Sequence, residues 1–206
     1  MTKLKLIIFD CDGVMFDSIE ANRRYYNHIL GAFNHPEMDE EELQFVHVHH
    51  VFDSVRHIFR KYPSDYEKAD LYRQKLDYSP YLQYMRIEPD LIEFLEYLQP
   101  SCKTAISTNR STTMPDLLRI FKLESYFDQV VTALDVEHSK PHPEALFKIL
   151  NHLHMSADQA IYIGDSHIDQ EHAASAGMRL IAFKNPALEA DYHVTSFMEI
   201  PQLGIF

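Results

Sequence analysis

Five short apolar runs constrain this chain more than any other feature of its sequence. They are Leu4–Phe9, Thr104–Ser107, Gln129–Thr132, Ala160–Ile163 and Leu180–Phe183, each bounded by polar or turn residues. Such runs fit strands buried on both faces of a parallel sheet. Helical stretches lie between and after them: Asp90–Leu98, Pro115–Lys122, Pro143–Leu153 and Ile168–Ala176. Pro89, Pro115 and Pro143 stand at or near helix starts, where a missing N–H costs little. Gly177 follows the last helix as a C-cap. Strand, helix and strand in succession predict an α/β fold with a doubly wound, mainly parallel sheet.

Residues 18–85 break the alternation. No convincing strand occurs there, and IEANRRYYNHILGAF and VFDSVRHIFRKY carry helical spacing. The expected organisation is an α/β core of residues 1–17 and 86–206 with a helical cap at 18–85. An insert at that point follows the carboxyl end of the first strand, where open α/β sheets bind ligands, and is a natural lid.

The 206 residues suit one domain, or one core with an insert. Hydrophobic residues are 46% and charged residues 24%, the balance of a globular chain that buries a core without disulfide or zinc staples. The two cysteines, Cys11 and Cys102, have no metal-ligand spacing and read as reduced thiols of a cytoplasmic protein. The apolar run near the N-terminus is too short for a signal peptide, and no stretch reaches a membrane span. A formal net charge of −12 argues against nucleic-acid binding, and the expected partner is a small molecule.

Four places carry candidate chemistry. The first run ends in Asp10-Cys11-Asp12-Gly13. Its two carboxylates point to one side of an extended strand end, while Cys11 points the other way and packs. Paired carboxylates stay ionised only beside a cation, and oxygen ligands suit Mg²⁺; an ordinary acidic loop is the alternative. Ser107-Thr108-Asn109 follows the second run. A hydroxyl and backbone N–H groups there can hold phosphate oxygens, although the same residues serve as turns and helix caps. Lys140 precedes a Pro-initiated helix and suits a phosphate or a carboxylate, or is a solvated surface lysine. Gly164-Asp165-Ser166-His167-Ile168-Asp169 follows the fourth run. Asp165 is placed to complete a metal site and Asp169 to steady Lys140, or the two are a cap acid and a helix-dipole acid.

In that order, DCDGVMFDS, ISTN, SKPHPEA and GDSHIDQEHAASAGM resemble the haloacid dehalogenase superfamily, in particular its phosphoglycolate phosphatase-like and β-phosphoglucomutase-like members with a helical cap. The resemblance covers roughly residues 4–17 and 86–200. It implies a Mg²⁺-dependent phosphatase acting on a small phosphorylated metabolite. Asp10 would be the nucleophile that becomes an aspartyl phosphate. Asp12 would be the general acid and base. Asp10, the carbonyl of Asp12 and Asp165 would be the metal ligands. Thr108 and the N–H of Asn109 would bind the phosphoryl oxygens. Lys140 would neutralise charge, with Asp169 behind it. Ser139 and Asp90 stand where such proteins often carry Gly, which weakens placement in one subfamily more than it weakens the chemistry.

Other readings remain. Asp12 favours phosphate over halide chemistry, because a halide leaves without a proton. A phosphomutase shares every core residue. A phosphonatase needs a Schiff-base lysine, and Lys61, Lys68 and Lys75 have no telling context. A non-catalytic binding protein of the same fold is the alternative from another class. In the insert, Arg23, Arg24, Arg56, Arg60 and Lys61 read as solvated helix faces. His47, His49, His50 and His57 have irregular spacing for a metal, and Tyr25, Tyr26, Tyr81 and Tyr84 are expected to pack the cap against the core. The expected assembly is a monomer or a homodimer.

Overall fold

The structure is a computed structural model that describes residues 3–48, 51–99 and 101–206. It divides into two compact units, Met1–Phe16 with Ile87–Phe206 and, separately, Asp17–Arg86.

Along the chain the strands are β1 (Leu6–Phe9), β2 (Phe16–Asp17), β3 (Arg86–Ile87), β4 (Lys103–Ser107), β5 (Gln129–Val131), β6 (Ala160–Gly164), β7 (Arg179–Phe183) and β8 (Tyr192–Val194). The helices are α1 (Ile19–Ala32), α2 (Glu40–Val48), α3 (Val51–Ile58), α4 (Tyr66–Arg73), α5 (Leu91–Leu98), α6 (Met114–Phe121), α7 (Glu144–His152) and α8 (His167–Ser175). Six strands form one sheet in the order β5-β4-β1-β6-β7-β8, with every pair of neighbours parallel. The two-residue strands β2 and β3 pair with each other.

The chain winds outward from β1 to β4 and β5, then returns to the other side of β1 for β6, β7 and β8. The strand order therefore reverses around β1. In open α/β sheets such a switch opens a crevice beyond the carboxyl ends of the strands.

All four residues of β1 are fully buried. Leu6 and Ile8 pack with Leu146, Ile149, Ala173 and Tyr162, the side of α7 and α8. On the opposite face the Phe9 ring meets Phe94 of α5 at 6.2 Å and Phe197 at 5.9 Å. A central strand covered on both sides cannot alternate apolar with polar residues, which is why LIIF is a continuous run.

The predicted elements lie close to the observed ones, with shifts at their ends. Leu4 is buried, but the ladder begins at Leu6, opposite Lys103 and Ala160. Thr132 leaves β5 to cap a short 3₁₀ turn, its side chain accepting from the N–H of Leu134. Strand β8 was not anticipated. It has three residues and pairs only with β7 at the sheet edge, so it leaves no apolar run in the sequence.

The second unit is helical and has its own core. Tyr25, Tyr26, Ile29, Leu43, Val55 and Phe59 are buried within it. Tyr25 contacts Tyr26, Tyr78 and Tyr81 at 5.3, 4.9 and 5.5 Å, so these tyrosines build the core of the helical unit itself. Its cations are largely matched internally. Arg24 pairs with Glu20 at 2.7 Å, and Arg23 with Glu40 at 3.0 Å. Arg60 and Lys61 share Glu42 at 2.6 and 3.3 Å. His57 stacks on Phe45, while His49 and His50 lie outside the described residues. Among the described residues, no helix is long and apolar enough to cross a membrane.

Phe9 carries the packing of β1 on one face of the sheet. Phe9→Ala is expected to destabilise the protein by about 3–5 kcal/mol. Urea unfolding followed by circular dichroism measures this. A loss below about 1 kcal/mol would mean that the neighbouring rings collapse into the space.

Candidate active site

Three adjacent strands deliver the site. Asp10 directly follows β1, Thr108 follows β4 and Asp165 follows β6. Because β4, β1 and β6 are neighbours in the sheet, residues distant in sequence meet beyond their carboxyl ends. The N–H of Asp10 donates to the carbonyl of Ile163 at 2.9 Å, which continues the sheet bonding into the first acidic residue.

Lys140 joins these groups. Its ammonium donates to Asp10 Oδ1 at 2.7 Å, Asp169 Oδ1 at 2.7 Å and the Tyr162 hydroxyl at 3.1 Å. Lys140, Asp10 and Asp169 are all buried. Burial opposes the Lys140 charge, but Asp10 and Asp169 outweigh it and hold the ammonium well above the usual lysine range. The Lys140 backbone is clamped from the end of β4. Asn109 Oδ1 accepts its N–H at 3.0 Å, and Asn109 Nδ2 donates to its carbonyl at 3.3 Å.

Asp169 sits one turn into α8 and is fully enclosed. Its second oxygen accepts from the Ser166 hydroxyl at 2.7 Å and from the N–H groups of Asp165 and Ser166, each at 3.2 Å. Ser166 accepts the N–H of Asp169 in return, a capping box that starts the helix. Burial pushes the Asp169 carboxyl up, and Lys140, Ser166 and Tyr162 pull it further down, so it is held ionised below the usual range. Gly164 makes the enclosure possible, because a Cβ there would lie 2.3 Å from that of Asp169.

Asp12 is placed differently. Arg110 grips its carboxylate with both arms of the guanidinium, Nη2 to Oδ1 at 2.5 Å and Nε to Oδ2 at 3.1 Å. Arg110 also donates to Thr113 Oγ1 at 3.1 Å, and its N–H to Thr108 Oγ1 at 3.1 Å. Asp12 therefore faces an arginine while Asp10 faces a lysine.

Asp165 has no such partner. Among the described residues, no ion pair or side-chain hydrogen bond reaches its carboxylate. Burial first, then the charges of Asp10 and Asp169, push its carboxyl up to about 8. Burial and Asp169 push Asp10 up as well, against Lys140. Oxygens of Asp10, Asp165 and Asp169 come within 4.8 Å of one another. Gly13, at φ 79°, passes so close that a Cβ would lie 2.0 Å from Asp165 Oδ2. Two carboxylates that repel each other, Asp10 buried and Asp165 half-buried, both hard oxygen donors and one of them without a protein cation, fit a divalent ion such as Mg²⁺. The fit singles out Asp10 and Asp165, because Asp169 is already bonded to Lys140 and Ser166.

The predicted residues Asp10, Asp12, Thr108, Asn109, Lys140, Asp165 and Asp169 thus gather at one edge of the sheet. Sequence reasoning missed Arg110, Tyr162 and His172. Arg110 directly follows the STN stretch, and its position was the only signal it offered. Tyr162 lies inside the AIYI run and looks like core. It is core, but its hydroxyl also reaches Lys140, the Ser107 carbonyl at 3.0 Å and Asp169 at 3.0 Å.

Residues 7–183 match the family of haloacid dehalogenase-like hydrolases. The chain belongs to that family. A solved hydrolase of subfamily IA, variant 1, from Geobacter sulfurreducens is 37% identical, with a TM-score of 0.86 over 97% of this chain and 96% of its own. A predicted phosphoglycolate phosphatase from Haemophilus somnus shares the fold at 21% identity and a TM-score of 0.80, over 98% of this chain and 99% of its own. Pyrophosphatase PpaX of Bacillus cereus is 26% identical over 185 residues, 87% of this chain and 83% of its own length. This protein is a haloacid dehalogenase-like hydrolase.

His172 supports the site from beneath. It is fully buried in α8, its Nε2 lies 2.9 Å from Ser107 Oγ, and its ring meets the edge of Tyr162 at 5.4 Å. Burial first, then the Lys140 charge, lower its pKa to about 4. A histidine neutral in the folded protein and charged in the unfolded chain costs stability between the two pKa values. The contribution is complete above about pH 6.5 and is lost as pH falls toward 4, up to roughly 3 kcal/mol. The stability difference between wild type and His172→Gln should therefore shrink by that amount from pH 7 to pH 4 in urea titrations. A difference that stays flat would show that His172 titrates normally.

Proposed function

We propose that this hydrolase is a Mg²⁺-dependent phosphatase that cleaves a small phosphorylated metabolite through an aspartyl phosphate on Asp10. The observation that carries the reading is Asp10 at the switch point of the sheet. It is held by Lys140 at 2.7 Å and stands beside Asp165, a half-buried carboxylate without a protein cation.

Each residue has a task that its surroundings permit. Asp10 attacks phosphorus, and the ester oxygen leaves. Lys140 neutralises charge on Asp10 and on the phosphoryl group, held to its post by Asp169 and Tyr162 and through its backbone by Asn109. Thr108, at the end of β4, and the N–H of Asn109 receive phosphoryl oxygens. Asp12 gives a proton to the leaving oxygen and then takes one from the water that opens the aspartyl phosphate. To reach that oxygen, its carboxylate gives up part of the Arg110 fork. Asp10, Asp165 and the Asp12 carbonyl would hold Mg²⁺, which supplies positive charge for the equatorial phosphoryl oxygens. The helical unit is read as the family's cap, the element that selects the substrate.

Phosphate release from a panel of phosphomonoesters tests the reading. The panel includes phosphoglycolate, sugar phosphates and nucleoside monophosphates, with pyrophosphate added because PpaX is named for it. Release should require Mg²⁺ and fall to background in Asp10→Asn. Turnover that survives this substitution would remove Asp10 as the nucleophile. Interconversion of a sugar phosphate without release would indicate a mutase.

Arg110 yields a separate expectation. If its fork orients Asp12, Arg110→Leu should slow alkyl phosphates by about 10²-fold, the scale of general acid help. An aryl ester such as p-nitrophenyl phosphate, whose oxygen leaves without a proton, should lose far less kcat in this step. Equal losses for both esters would mean that Arg110 acts on binding or folding instead.

A further inference from the structure

Among the described residues a second cluster has the geometry of a metal site, and its chemistry differs from that of the acidic one. His138, His142 and Glu144 offer ligand atoms that all lie within 4.8 Å of one another. His138 Nδ1 is 3.1 Å from Glu144 Oε2, and His142 Nδ1 is 3.9 Å from the same oxygen. Around a tetrahedral ion with bonds of roughly 2.0–2.1 Å, neighbouring donor atoms stand roughly 3.3–3.4 Å apart. The two observed separations bracket that value.

The carboxylate is held in place. Glu144 Oε1 accepts the N–H of Glu137 at 2.8 Å, and Oε2 accepts the N–H of His138 at 3.1 Å. These bonds, first that from Glu137, and the His138 ring hold the Glu144 carboxyl below its ordinary range. Glu144 opens α7, and its own N–H reaches His142 Nδ1 at 3.3 Å, a long bond that coordination through Nδ1 would displace. The side chains of His138 and His142 are 63% and 51% exposed, so an ion can enter and keep water as its remaining ligands.

A bracing network alone would explain the hydrogen bond between His138 and Glu144. It does not explain why a second imidazole stands over the first at 4.6 Å between ring centres, beside the same oxygen. Two imidazoles and a carboxylate suit borderline ions such as Zn²⁺, Ni²⁺ or Co²⁺, whereas the all-oxygen set at Asp10 and Asp165 suits Mg²⁺. We propose that His138, His142 and Glu144 form a surface site for a transition-metal ion of the Zn²⁺ class. The site lies on the loop that carries Lys140, which stands in the chain between the two histidines. It does not depend on the phosphatase reading.

The test is binding of Zn²⁺ by calorimetry to metal-free full-length protein in excess Mg²⁺, with Co²⁺ as a spectroscopic probe. Wild type is compared with three variants: Asp165→Asn, the double variant His138→Ala with His142→Ala, and Glu144→Gln. Wild type and Asp165→Asn should each bind one ion with the visible bands of low-coordinate Co²⁺. The double variant should bind about 100-fold more weakly or not at all, given that even outer-shell changes cost metal sites 10–100-fold. Melting curves confirm that the double variant folds, and His138→Asn alone replaces it if it does not. Equal affinity in wild type and the histidine variant would overturn the proposal. So would loss of the ion in Asp165→Asn, or no binding by wild type.

Discussion

The Lys140 ammonium is the charge on which the acidic site depends. It lies out of solvent and bonds two carboxylates, Asp10 at the end of β1 and Asp169 in α8, each at 2.7 Å. A buried ion pair adds little to stability compared with apolar packing of the same volume, but taking away one partner leaves an uncompensated charge, at about 3–5 kcal/mol. The surroundings reflect that asymmetry. Tyr162 gives Lys140 a third partner, Asn109 fixes its peptide on both sides, and Ser166 with two N–H groups completes Asp169. The second oxygen of Asp169 and the Lys140 loop are therefore committed before any ligand arrives. Asp165 is left open, in contrast, and Asp12 is held by a guanidinium that faces it from one side.

That division explains what the sequence could and could not reveal. Asp10, Thr108 and Asp165 were legible because each ends an apolar run, and a parallel sheet brings the ends of its strands to one edge. Asp169 was legible because it lies one turn into a helix opened by the same motif. Arg110 was not, since a lone arginine in a loop has no period and no partner at a fixed spacing. Its partner is Asp12, across the sheet edge and 98 residues earlier in the chain. Tyr162 and His172 were hidden for the opposite reason. Both satisfy the apolar pattern of their elements, and only the fold shows that their polar atoms point at Lys140 and Ser107. The role expected of Asn109 through its N–H was incomplete for the same reason, because its side chain bonds a residue from a distant loop. Short strand β8 escaped notice because an edge strand paired on one side needs no continuous apolar run.

The charges that remain argue for an order of events. Four carboxylates, those of Asp10, Asp12, Asp165 and Asp169, face two protein cations. Lys140 is divided between Asp10 and Asp169, and Arg110 belongs to Asp12. Unit charges about 4 Å apart interact by about 4 kcal/mol at an effective dielectric near 20, so a phosphate dianion meets strong repulsion at this edge of the sheet. Burial and repulsion by neighbouring carboxylates push the carboxyls of Asp10 and Asp165 up, toward the protonated form that relieves it. A protonated Asp10, however, would not serve as the proposed nucleophile. On the proposed reading, a divalent cation beside Asp165 would remove the conflict, because it would keep Asp10 ionised and lower the repulsion at the same time. On the proposed reading, the electrostatics of this carboxylate set favour binding of the cation before the phosphate.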